Sequence, residues 1–342
     1  MRTNRERMAP QRAFLFHIVL AVLAILPGCS QLAVVNEEKN DGYFTGKPGF
    51  EWAEIPGRDY EMTVFRPRNT DESGIVGQSI ERKIKLDPFK ISVSEITNRQ
   101  YCMFLNDALK KGDNIHVDYN GEDMVVNGSV KEIQSGFHFM VLKPVIPSFR
   151  AELNGSGIYY TGGKFKVVKG QEDCPVVNVT GIGAEAFAEY YGLVLPTEAQ
   201  WEYAAAAGRA RAFGTADGNI GGHNANYDNT IGHSVRIKSY RPNEFGLYDM
   251  CGNAAEWCMS QLRYHGVTES SVSTPGYIAK GGSWLSFEDA CRIRSREMHD
   301  RLFKYPHPRG RKISYHFEST AGIFPRSTNG DERQLYFPSN DN

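Results

Sequence analysis

The chain of 342 residues carries 39 Lys and Arg against 40 Asp and Glu, a formal net charge of −1. These charges are interspersed, so the concentrated basic patch that phosphate neutralisation requires is missing and nucleic acid is excluded as a partner. With 34 glycines, 12% aromatic residues and no heptads or low-complexity tracts, the composition points to a loop-rich globular domain held by aromatic packing.

Arg2, Arg5, Arg7 and Arg12 precede an apolar run from Ala13 to Leu26. This is a basic n-region followed by an h-region too short for a comfortable membrane span, and export is expected. Leu26-Pro-Gly-Cys29 ends the run and looks like a bacterial lipobox, with Cys29 as the acylated residue and Pro27 as an unusual occupant. Ser30 stands where an aspartate would signal retention at the inner membrane. The expected site is therefore the bacterial cell envelope, with the outer membrane favoured. Several acyl chains, palmitate among them, make a durable anchor, because each buried methylene contributes about 0.8 kcal/mol. Residues 1–28 read as a lipoprotein signal peptide and residues 29–50 as a flexible tether. Within the tether, Asn36-Glu-Glu-Lys-Asn-Asp-Gly42 offers too little apolar surface to fold alone.

Apolar alternation between Ile80 and Val93 predicts paired strands, and Glu95–Asn106 predicts a helix that buries Ile96, Tyr101, Phe104 and Leu105. Residues 112–170 read as short strands and turns, among them 136–142 and a hairpin over Tyr159–Val168 that turns at Gly162-Gly163. A helix over Gly183–Gly192 stops at its glycine. Another begins at Thr197, whose hydroxyl forms a capping box with Gln200, and ends at Gly208. Glu198 and Glu202 lie one turn apart on it. First-turn carboxylates complement the helix dipole, and that reading is preferred to acid–base chemistry. Trp201 and Tyr203 are expected to dock this helix into the core.

The stretch Gly246-Leu-Tyr-Asp-Met-Cys-Gly-Asn-Ala-Ala-Glu-Trp-Cys258 crowds carboxylate, amide and carbonyl oxygens between aromatic anchors. Calcium takes about six to eight such oxygens in a flexible loop. Asp249, Asn253 and Glu256, with the Gly252 and Ala254 carbonyls, supply most of a set; a tight glycine turn with satisfied polar side chains is the alternative.

This stretch falls in one order with Pro175-Val-Val-Asn-Val-Thr180, Leu195-Pro-Thr-Glu-Ala-Gln-Trp-Glu-Tyr-Ala-Ala205 and Lys280-Gly-Gly-Ser-Trp284, preceded by Ile55-Pro-Gly57 and Asp87–Asn98. Together they resemble the formylglycine-generating enzymes, or sulfatase-modifying factors, over residues 51–328, which leaves 329–342 as a C-terminal tail. The resemblance implies an α+β, loop-rich variant of the C-type lectin fold with little regular secondary structure, stabilised by structural Ca2+. Carried over residue by residue, one calcium site falls on the Asn226 and Asn229 side chains with the Tyr227 and Ile231 carbonyls. The second falls on Asp249, Gly252, Ala254 and Glu256. Asn229 stands where the family usually has a carboxylate, which removes charge and weakens the first site.

Besides Cys29 the chain has Cys102, Cys174, Cys251, Cys258 and Cys291. An oxidising compartment permits disulfides, and Cys258 with Cys291 is the preferred pair, although connectivity is not readable from sequence and reduced structural thiols are the alternative. The family's oxygen-dependent enzymes bind copper(I) through two cysteines spaced as residues 286 and 291 are here. Ser286 occupies the first position and Cys291 the second. A hydroxyl cannot replace a soft thiolate, so copper and formylglycine generation are not expected. Ser283 and Ser286 have no identifiable His and Asp partners. His299, His307 and His316 match no compact iron-binding triad and read as solvated. Ala321-Gly-Ile-Phe-Pro-Arg326 departs from the family's closing strand, where Pro325 costs a ladder hydrogen bond.

The expected function is that of a lipid-anchored protein which binds a protein or peptide ligand in surface display or in a gliding- or secretion-type assembly. The alternative is a metal-dependent oxidase or protein-modifying enzyme of the same superfamily, with Cys291, Ser286 and Ser283 as candidate catalytic residues.

Overall fold

The structure, a computed structural model, describes residues 41–67, 77–112, 115–119, 124–130, 133–142, 157–259, 277–299, 319–321 and 324–325. Cys29 and the expected signal peptide lie outside these residues, as do His307 and His316. No described helix is long and apolar enough to cross a membrane.

Strands β1 (Trp52–Ile55), β2 (Arg58–Pro67), β3 (Gly77–Leu86) and β4 (Phe89–Ser92) form two separate antiparallel pairs, β1 with β4 and β2 with β3. The strands expected between Ile80 and Val93 are present, but they pair outward with earlier strands and not with each other. Helix α1 (Asn98–Lys111) follows, capped by Thr97 and Gln100 and closed by Gly112 in the left-handed conformation. It starts three residues later than the apolar pattern suggested and runs five further, and Ile96 is buried just ahead of its cap.

Strands β5 (His116–Tyr119), β6 (Met124–Val130) and β7 (Ile133–Leu142) make a three-stranded antiparallel sheet. The expected hairpin forms from β8 (Ile158–Thr161) and β9 (Lys164–Val167), with Gly162 and Gly163 at positive φ in its turn. Helix α2 (Gly181–Tyr190) begins two residues before the expected Gly183, with Thr180 as its cap, and the chain turns away at Gly192, φ 71°. Strand β10 (Leu193–Val194) leads to α3 (Glu198–Ala205), which carries the expected Thr197–Gln200 capping box but ends three residues before Gly208.

A long stretch without regular elements joins α3 to β11 (Ala255–Met259). Strand β11 is central in a four-stranded sheet with β12 (Tyr277–Lys280), β13 (Glu297–His299) and β14 (Ser319–Ala321), and a 3-10 turn spans Glu288–Cys291. Strand β15 (Phe324–Pro325) pairs with β10 as a short edge, where a proline is tolerated.

Two apolar clusters hold this together. In one, Tyr101 stacks on Phe187 at 5.4 Å, joining α1 to α2 beside Trp257 and Tyr277. In the other, Trp201 and Tyr203 of α3 pack with Ile55, Ile91, Met250 and Cys258. Residues 41–50, expected as part of a tether, pack on the domain. Phe44 and Phe50 pack against the first cluster, Val167 donates its amide to the Gly42 carbonyl at 2.7 Å, and Asn106 donates to the Phe44 carbonyl at 3.0 Å. Residues 41–50 are therefore part of the domain, because two aromatic anchors outweigh a polar local composition.

Candidate cation cluster and the Gly-Gly-Ser segment

The Gly246–Ala254 stretch is shaped by backbone that few residues accept. Asp249, Gly252 and Asn253 have φ of 55°, 72° and 59°, a region that Asp, Asn and Gly tolerate best. A Cβ at Gly252 would lie 2.2 Å from the Asn226 carbonyl oxygen, so only glycine fits. This close approach lets the Asn253 amide donate to that carbonyl at 2.7 Å, and the Asn226 side chain donates to Asn253 Oδ1 at 3.2 Å. Asn253 is fully buried and donates in turn to Glu95 Oε1 at 2.9 Å.

Glu95, Asp249 and Glu256 are three buried carboxyls in mutual electrostatic reach. Burial is the main force raising each: Glu95 goes well above the usual range, Asp249 to about 6 and Glu256 to about 7, with charge repulsion adding to Glu95 and Glu256. Lys238 donates its amide to Asp249 Oδ2 at 2.7 Å and Trp201 donates Nε1 to Glu256 Oε2 at 2.8 Å. Glu95 Oε2, Asp249 Oδ1 and Asn226 Oδ1 are left buried without a hydrogen-bond donor. The Glu95 and Asp249 side chains are close enough to hydrogen-bond to each other, which requires one of them to hold a proton. Orphaned buried oxygens are costly, and either a proton or a hard cation relieves them.

The donor chemistry, all carboxylate and amide oxygen, fits a calcium-class ion. Asp249 and Asn226 would contribute their free oxygens, joined by Glu95, and the ion would supply positive charge that ties three distant segments together. Among the described residues no group of three or more His, Cys, Asp or Glu has metal-binding geometry by itself, so amide and carbonyl oxygens are needed to complete a set. Asn229 and Ile231 sit on an exposed turn with Tyr227 partly buried beside it, whereas Asn226 is buried. Glu95 was missed by the sequence reading; its signal is an acid flanked by Val93 and Ile96 just before the Thr97 cap.

Glu198 and Glu202 face a buried cation. Lys280 Nζ lies 2.7 Å from Glu202 Oε1 and 3.4 Å from Glu198 Oε1, and Arg296 Nε is 3.0 Å from Glu198 Oε1. Tyr60 donates its hydroxyl to Glu202 Oε2 at 3.1 Å. Ion pairing across the core, beyond the helix dipole, explains these acids.

Ser283, Ser286 and Cys291 do come together. Gly281 and Gly282, at φ of 86° and 70°, fold the segment so that a Cβ on Gly282 would be 2.8 Å from Cys291 Sγ and 3.1 Å from Ser286 Cβ. Ser286 Oγ accepts the Ser283 amide at 2.8 Å and lies 3.4 Å from the Ser283 hydroxyl. The Cys291 thiol is pushed up to about 12, chiefly by burial. The expected Cys258–Cys291 disulfide is absent: all five described cysteines are free thiols. Cys258 packs with Trp201 and Met250, while Cys291 packs with Phe213, Ala225 and Cys251.

A loop-rich α+β domain with these ordered motifs defines a protein of the formylglycine-generating-enzyme type. The chain belongs to that family: the sulfatase-modifying factor enzyme 1-like domain matches residues 51–307. The formylglycine-generating enzyme of Streptomyces coelicolor is 30% identical over 244 residues, 63% of this chain and 73% of that one. The bovine protein described as inactive C-alpha-formylglycine-generating enzyme 2 is 24% identical over 291 residues, 80% and 89% of the two chains. A serine/threonine-protein kinase, pkn1 of Chlamydia pneumoniae, is 33% identical over 248 residues, which is 69% of this chain but 35% of the kinase. The chain thus spans about a third of that relative's length. The solved structure of CarF aligns with a TM-score of 0.48 at 16% identity, covering 81% of this chain and 98% of that one.

Proposed function

We propose that this sulfatase-modifying-factor-like domain works by binding a protein or peptide ligand, on a lipid anchor at Cys29 in the bacterial cell envelope, and does not generate formylglycine. The observation that carries this reading is Ser286. Its hydroxyl is taken up by the Ser283 amide at 2.8 Å, in the position where the family's copper pair has its first thiol. One thiol, on Cys291, does not make a two-thiolate copper(I) site. A relative described as inactive belongs to the same family, in keeping with loss of the reaction on a retained fold. Calcium-class binding at Glu95, Asp249 and Asn226 would be structural, with the cation stabilising the native state by mass action.

The test is turnover. Purified protein is loaded with copper(I) and incubated with oxygen and a peptide carrying the sulfatase cysteine motif, and the peptide mass is followed. No conversion is expected from the wild type. Conversion of cysteine to formylglycine by the wild type would sink the proposal.

A further inference from the structure

Cys291 has lost its family partner at position 286, yet a different thiol stands against it. Cys251, from the loop before β11, directs its Sγ to the Cys291 carbonyl oxygen at 3.1 Å. The two segments run side by side: the amide of Gly252, next in the chain, donates to the Gly281 carbonyl at 2.9 Å, and a Cβ on Gly282 would lie 2.8 Å from Cys291 Sγ. Both side chains lie in one apolar cluster with Phe213 and Ala225, at 3% and 0% exposure. Gly214 donates its amide to Cys251 Sγ at 3.0 Å, which fixes that sulfur in place. Cys102 and Cys258, the other fully buried thiols, pack in different clusters.

We infer that Cys251 and Cys291 form a dithiol–disulfide couple, which when oxidised staples the Gly252 loop to the 3-10 turn at Glu288–Cys291. Two S–H bonds break and one S–S bond forms. The two protons and two electrons pass to a disulfide oxidant such as oxidised glutathione, which leaves as two reduced molecules. The first thiolate attacks the oxidant to give a mixed disulfide, and the second displaces the reduced half. Both sulfurs are buried, so an oxidant or reductant does not reach them in the folded state and exchange there is slow. The bond is therefore made during folding or local opening, and once made it is shielded from reductants.

The full chain, denatured and reduced, is refolded in a glutathione redox buffer, alkylated under denaturing conditions and digested without reduction. Mass spectrometry should find the Cys251 and Cys291 peptides linked and lighter by two hydrogens, with Cys102, Cys174 and Cys258 alkylated. In Cys251→Ala, Cys291 should be alkylated completely. Wild type refolded with a reductant present throughout should also melt lower than wild type refolded in the redox buffer, a difference that Cys251→Ala does not show. Full alkylation of both Cys251 and Cys291 in refolded wild type, or a Cys258–Cys291 link, would overturn the inference. The wild-type mapping decides the matter even if the variant fails to fold.

Discussion

Lys280 Nζ and Glu202 Oε1 meet at 2.7 Å with both side chains almost wholly shielded from solvent, at 0% and 1% exposure. The contact ties β12 to α3 and continues through Glu198 to Arg296 and through Glu202 to Tyr60. Removing one partner of a buried pair leaves an uncompensated charge, a loss of about 3–5 kcal/mol. Lys280→Met should therefore lower the denaturant midpoint sharply. The double variant Lys280→Met with Glu202→Gln should recover part of that loss. Equal loss in the single and double variants would show that the pair is not coupled.

The buried carboxyl cluster gives the chelated protein an unusual pH dependence. Asp249 rises from 3.8 to about 6 and Glu256 from 4.5 to about 7 on folding. The folded state thus binds more protons than the unfolded one in this window. Stability from these groups is full below about pH 4 and is lost as pH rises through about 7. In chelator, melting temperature should fall from pH 4.5 to 7.5 as far as these groups govern it. A saturating calcium-class cation should flatten or reverse that slope, because it binds the ionised form. Melting scans with and without chelator check this; identical profiles would contradict cation binding at the cluster.

Glu95→Gln separates a proton or cation role from plain packing. It removes a carboxyl whose ionised form is opposed by burial and by its two acidic neighbours, so the chelated protein should become more stable, while the rise in melting temperature produced by calcium should shrink. Asn226→Ala should shrink the calcium response without the gain in chelator. Differential scanning calorimetry reads both effects. An unchanged calcium response in Glu95→Gln would exclude Glu95 as a ligand.

Gly252 approaches the Asn226 carbonyl too closely for any side chain and holds φ at 72°. Gly252→Ala carries the left-handed backbone penalty of about 1–2 kcal/mol. A contact at 2.2 Å then forces the Asn226 segment to move. Thermal unfolding should show a loss greater than the backbone penalty alone, together with a weaker calcium response.

The parts of the domain written in short-range pattern were legible in the sequence. The capping box at Thr197–Gln200 rests on residues three apart and the hairpin at Gly162-Gly163 on a local turn, whereas the like box at Thr97–Gln100 was hidden inside an apolar pattern that begins at Glu95. The motif around Asp249 and Asn253 was visible as a crowd of oxygens. Its partner Glu95 was not, because it is 158 residues from Asn253 and no periodicity marks it. Lys280 was seen only as part of a motif, since nothing local says that its ammonium reaches Glu198 and Glu202. Cys291 was matched to Cys258 without geometry to guide the choice, whereas the fold sets it against Cys251, 40 residues away. Phe44 and Phe50 were hidden by the polar residues around them, and only the core they cover reveals their role.

The most direct test of a calcium-stabilised binding domain that has lost copper chemistry is elemental analysis of the purified protein, repeated after chelation with melting followed alongside. Calcium, no stoichiometric copper or iron, and a melting temperature that falls on chelation and returns when calcium is restored are the expected results. Stoichiometric copper or iron, or melting indifferent to chelation and calcium, would contradict it.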